Sequence, residues 1–136
     1  MSTQTSPSAD FDLRILDQLN EGYQVISKDW KYLYVNDSVV KQAKMKDKTE
    51  LIGFTVMEKF PGIENTELFK QMRESMEQRS PKVFQTKFDF PDGSEGWFEV
   101  RIGPIDSGIF LLTLDITERM QKEKTQRTYH NNAFWG

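Results

Sequence analysis

"LLTLDITERMQKEK", residues 111–124, changes character at a single position. Leu111 to Leu114 are almost wholly apolar, and from Asp115 onward the chain is mostly charged or polar. A short continuous apolar run reads as a strand buried on both faces, the character of a central position in a sheet. Asp115 is placed to cap a helix, its carboxylate accepting from the backbone N–H of Thr117 or Glu118 while Glu118 reaches back. Such a cap contributes about 1 kcal/mol and fixes where the helix starts. Asp115, Ile116, Thr117 and Glu118 therefore join the last strand to an outgoing helix with no flexible linker between them.

Working back from this junction, "KVFQTKFDF" (82–90) alternates at Phe84, Thr86, Phe88 and Phe90. "PDGSEG" (91–96) is hairpin chemistry, and "WFEVRIG" (97–103) alternates Phe98, Val100 and Ile102 against Trp97, Glu99 and Arg101. "PIDSG" (104–108) turns again into the last strand, "IFLLTLD" (109–115). Ahead of these strands, "TELFKQMRESMEQ" (66–78) is the clearest helix, with Phe69, Met72 and Met76 on one face. Ser80-Pro81 stops it. Residues 47–66, broken by Gly53, Pro61 and Gly62, predict loops and short helical turns. "YQVIS" (23–27) and "YLYVN" (32–36) are strands around the turn "KDWK", and Asn36 or Asp37 caps a short helix, "DSVVKQAKM". Phe11, Ile15 and Leu19 fall four apart in "FDLRILDQLN" (11–20), a helix capped by Asp10 and ended at Gly22. Helix, two strands, several helices and three strands make an α+β chain with an antiparallel sheet.

The whole-chain numbers fit one domain: 136 residues, 37% of them hydrophobic, with ten Phe to fill a core. Eighteen basic against 21 acidic residues leave a net charge of −3, too small and mixed to point to nucleic acid or an anionic membrane. No apolar run approaches the roughly 20 residues of a membrane span, and "MSTQTSPSAD" lacks the features of a secretory signal. The expectation is a soluble, cytoplasmic protein. With no cysteine there is no disulfide, thiolate metal site or thiol nucleophile.

"YLYVN" (32–36), "ELIGF" (50–54), "FPDGSEGWFEVRIGPI" (90–105) and "DITER" (115–119), in this order and spacing, resemble a PAS domain with its C-terminal PAC extension. The resemblance covers about residues 11–120, between a flexible lead-in (1–10) and an outgoing linker helix and tail (121–136). It implies a five-stranded antiparallel sheet in the order 2-1-5-4-3 with helices packed on one face. An N-terminal flanking helix and a C-terminal signalling helix complete the fold it implies. It also implies a sensory module that passes its state to an effector, most often a histidine kinase, with Asp115 and Thr117 at the signalling junction. The relatives frequently dimerise, which makes a homodimer the expected state. One departure is visible: the first hairpin commonly carries Asp-Gly, whereas here Asp29 precedes Trp30.

Chemistry is mostly missing. His130 is the sole histidine and "NNAFWG" follows it, so neither a phosphoacceptor motif nor a metal site of the usual ligand count can be assembled. The haem-binding kind of PAS domain needs an axial histidine near the long helix, and the flavin-adduct kind needs a cysteine; both are missing. No Gly-rich phosphate loop or Ser/His/Asp set is present, so no enzyme activity is expected. Phe69, Met72 and Met76, facing Phe54, Met57, Phe60, Phe88, Phe98, Leu112 and Leu114, could line a pliable pocket for a small apolar ligand. The same residue types are more often a filled core. A protein-interaction or dimerisation module with no small-molecule ligand is the competing function. The exit segment has a poor heptad pattern, with Ile116 and Met120 followed by Glu123 and Arg127, so its helix is expected to need dimerisation or further chain to order.

Overall fold

Gly22–Ser27 forms strand β1 and Tyr32–Val35 strand β2; Lys82–Asp89, Glu95–Ile105 and Gly108–Asp115 form β3, β4 and β5. The computed structural model describes residues 21–124. The flanking helix expected over 11–20, His130 and the aromatic tail lie outside them. The five strands make one sheet in the order β2-β1-β5-β4-β3, with every neighbouring pair antiparallel. β5 is central, between β1 and β4, as its continuous apolar run predicts.

The helices lie in the middle of the chain and pack over one face of this sheet. Asp37–Gln42 and Val56–Lys59 are short helices, Lys48–Glu50 and Ile63–Asn65 are single 3-10 turns, and Glu67–Gln78 is the long helix. Four of these five start at a capping side chain, Asn36, Asp47, Thr55 or Thr66. Thr66 accepts from the Phe69 N–H at 3.1 Å, and Thr55 with Glu58 makes a reciprocal capping box. The long helix ends at Gln78, where Arg79 turns left-handed (φ +55°) ahead of Ser80-Pro81.

Strand alternation sorts the side chains. Phe88, Phe90, Phe98, Val100 and Ile102 point under the helices and are buried with Ile26, Val35, Leu51, Val56 and Met72. Lys87, Asp89 and Arg101 point away and are exposed. β5 obeys the same period of two despite its uniform hydrophobicity. Ile109, Leu111 and Thr113 are buried, while Phe110, Leu112 and Leu114 are half-buried on the opposite face. On the long helix the buried stripe is Phe69, Met72 and Ser75, with Met76 at its half-buried edge.

The first hairpin explains its unusual residue. Trp30 sits at φ +71°, the left-handed conformation that glycine adopts without strain and that costs other residues about 1–2 kcal/mol. Its indole packs against Phe69 with ring centroids 4.7 Å apart. That contact ties the turn to the long helix and offsets the backbone cost.

Candidate functional site

The junction after β5 is held by backbone and side-chain hydrogen bonds to two strands. The Asp115 carboxylate accepts from the Thr117 N–H at 2.9 Å. The chain is helical over residues 117–124, and its first helical bond runs from the Met120 N–H to the Ile116 carbonyl at 2.9 Å. The expected return bond from Glu118 is absent among the described residues. What replaces it is a contact to β4: the Thr117 hydroxyl oxygen accepts from the Trp97 N–H at 2.9 Å, and the Ile116 N–H donates to the Trp97 carbonyl at 2.9 Å. Ile116 is buried between these bonds. On the helix, Arg119 pairs with Glu99 of β4 at 3.7 Å, a surface contact that contributes little by itself. Asp115 thus orients the first turn of the exit helix while Thr117 fastens it to the start of β4.

A cavity of about 80 Å³ lies between the sheet and the helices. Its apolar wall includes Phe60, Met72, Phe88 and Phe98, four of the residues proposed from the sequence to line it, together with Val56, Val100 and Leu111. The remaining candidates lie elsewhere. Leu112 and Leu114 are on the far face of the sheet, because β5 alternates and Leu111 and Thr113 take the inward positions. Phe54 is exposed, with the Lys59 ammonium 4.7 Å above its ring. Phe69 is buried against Trp30, and Met57 and Met76 pack at the edge of the core outside the cavity wall.

The polar part of the wall was missed. Gln24, Gln42, Thr86 and Thr113 line the cavity with Tyr32, and none of the described lining residues is charged. Gln42, the last residue of the Asp37–Gln42 helix, is locked to β5: its Nε2 donates to the Thr113 carbonyl at 3.0 Å, and its Oε1 accepts from the Thr113 hydroxyl at 2.6 Å. Gly22, opposite Thr113 in the ladder, makes room for this pair. A Cβ there would stand 2.6 Å from Thr113 Oγ1 and 2.7 Å from Gln42 Oε1. Burial holds the Tyr32 phenol above the usual tyrosine range, so the cavity meets it as a neutral group. Counting by twos from Ile109 would have found Thr113; Gln42 reaches the site only because its helix packs on β1 and β5.

Cavity and junction share their strands. Phe98 and Val100 of β4 and Leu111 and Thr113 of β5 wall the cavity, and Phe98 is the ladder partner of Asp115. Thr113 is two residues, about 7 Å along the strand, from Asp115.

The PAS-fold family model matches residues 16–121. No curated protein sequence matches the chain. Among solved structures, the PAS domain of a Colwellia psychrerythraea protein superposes with a TM-score of 0.63 at 17% identity, over 77% of this chain and 93% of that one. A domain of a Geobacter sulfurreducens sensor histidine kinase/response regulator gives 0.65 at 12% identity, over 84% and 98%. The Vibrio cholerae VqmA dimer, a LuxR-type receptor, gives 0.65 at 20%, over 79% of this chain and 51% of that one. At these identities the superpositions speak for the fold, and with the family match over most of its length the chain belongs to the PAS-fold family.

Proposed function

We propose that the chain is the sensory input module of a signalling protein, reading a small molecule in the cavity and relaying its state through the helix after Asp115. The observation that carries this reading is the shared pair of strands: β4 and β5 both wall the cavity and hold the exit helix. A shift of either strand therefore moves Trp97, Asp115 and the first turn together, with no hinge to absorb it. The effector is a histidine kinase or another enzyme regulated by helix rotation, in keeping with the solved relatives from sensor kinases. The exit helix works as one half of a homodimeric pair, since its heptad pattern is too weak to order it alone. Neither haem nor a covalently bound flavin is assigned, for want of an axial histidine on the long helix and of any cysteine, and nothing in the sequence specifies a noncovalent flavin. The test joins residues 1–136 to a reporter kinase and follows phosphorylation as a metabolite set is screened by thermal shift. A compound that raises the melting point should change kinase output, and Asp115→Ala should cut that change more than it cuts stability. Equal losses, or stabilising compounds that never alter output, would sink the reading.

A second function, a protein-interaction module with no ligand, draws on Leu33, Ile52 and Phe54, all exposed beside the short edge strand β2. A metabolite screen that moves nothing, with dimerisation intact, would favour it.

A further inference from the structure

An apolar cavity needs no amides, yet two glutamines line this one. Gln42 is fully oriented, because Thr113 engages both its carbonyl oxygen and one N–H. One N–H and one oxygen lone pair of that amide remain. Gln24, on β1, pairs with Leu111 and so sits diagonal to Thr113 on the same face of the sheet, within reach of long side chains. Its half-buried amide makes no hydrogen bond to another described residue and is not sealed from water, so it is available to a ligand at the cavity wall. Tyr32 and Thr86 add hydroxyls, and the rest of the described wall is apolar: Phe, Met, Val, Leu, Ile and Ala.

Resting on the ligand-sensing reading above, we infer that the cavity takes a small uncharged molecule with an apolar body and one edge bearing both a donor and an acceptor, a primary amide or lactam. The Gln24 amide is the edge that pairs with it, and Gln42, fixed by Thr113, is the second contact. A carboxylate or an ammonium would enter a wall with no opposite charge and lose its hydration without return. Size sets the upper bound. The cavity is about half of the roughly 150 Å³ that accommodates the six carbons of benzene, so it holds about three non-hydrogen atoms as it stands, and a ligand of four or five needs the helices to give slightly. Because Gln42 bridges its helix to the Thr113 carbonyl, a ligand that draws on the Gln42 amide acts directly on β5, two residues from Asp115.

The test titrates the 1–136 protein, followed by its amide and methyl NMR signals, with three molecules of one size. Propanamide offers donor and acceptor, butanone an acceptor alone, and propanoate a charge. Propanamide should shift the Gln24, Gln42 and Thr113 signals saturably, with a Kd at least tenfold below those of the other two. Gln24→Met, which keeps length and removes the amide, should weaken propanamide at least tenfold and change butanone binding less than twofold. Thr113→Val, which frees Gln42 without altering shape, should weaken propanamide threefold or more. Unliganded melting curves of both variants confirm that they fold, and Gln24→Glu supplies a second removal of the donor if Gln24→Met does not. Butanone binding as well as propanamide, or propanamide binding unchanged in Gln24→Met, overturns the ligand class and leaves the sensor reading standing. Cavity signals unmoved by all three overturn both.

Discussion

The chain passes from strand to helix with no loop at two places, and the two corners are built differently. At the end of β2 the turning residue is Asn36, which is fully buried. Its side-chain oxygen accepts from the N–H groups of Tyr23 at 3.0 Å and Val39 at 3.1 Å, and its amide donates to the Glu21 carbonyl at 3.1 Å. At the end of β5 the work is divided. Asp115 is exposed and makes the cap, Ile116 is the buried wedge, and Thr117 makes the contact to β4. A buried amide that satisfies three backbone groups at once has no second arrangement of equal energy, because each lost bond leaves a group with no access to water. An exposed carboxylate and a half-buried hydroxyl have water as an alternative partner, so their bonds can be exchanged at low cost. The first corner fixes the fold, and the second can exchange its polar partners while buried Ile116 and its bond to Trp97 keep the exit helix moving with the strands.

Substitutions can break this contrast, and the largest effect belongs to the first corner. Asn36→Ala strands two donors and one acceptor in the core and should cost about 4 kcal/mol in urea unfolding. A loss below about 1 kcal/mol would remove the distinction between the corners. Thr117→Val leaves the Trp97 N–H without its acceptor and should cost about 1.5 kcal/mol. Hydrogen exchange at Trp97 should accelerate at the same time, while Tyr23 and Val39 stay protected. Asp115→Ala removes a surface cap worth about 1 kcal/mol. Its signature is a signalling response, in the kinase fusion, that falls further than the melting temperature does, and Asp115→Asn should restore most of both. The smallest effect is silent at neutral pH. Tyr32, at the start of β2, keeps its proton in the fold above its ordinary pKa of 10.0, whereas the unfolded chain releases it there. The folded state then binds more protons, so stability is whole below pH 10 and falls as pH rises above it, by under about 1 kcal/mol at pH 10.5. Tyr32→Phe should flatten that slope in denaturant titrations run from pH 9 to pH 11.

The fold was legible because its signals are local. The alternation of "KVFQTKFDF" and "WFEVRIG", the Asp-Gly hairpin between them and the Thr66 cap each act over a few residues, and each appears where the sequence puts it. β5 was legible in kind but not in phase. Leucine at 111, 112 and 114 gives hydropathy nothing to alternate on, so Leu112 and Leu114 were assigned to the cavity that Leu111 and Thr113 line. The phase is set across the ladder, by Val100 opposite Thr113 and Gly22 on the other side. The polar wall was harder still, since Gln42 and Thr113 meet at a separation of 71 residues. The Glu118 return bond failed for a related reason: β4 offered Thr117 the Trp97 backbone, which a reading confined to residues 115–118 does not contain.

By itself the sequence determined the order of the elements, their caps and turns, and the place where strand gives way to helix at Asp115. These follow from contacts within about four residues along the chain. Only the tertiary structure decided which face of β5 looks inward, which side chains meet at the cavity, and that the exit helix is fastened to β4 as well as continuous with β5. Those outcomes depend on which strands become neighbours. Pairing is a long-range choice, made by the burial of a whole face at once and not by any one residue's preference.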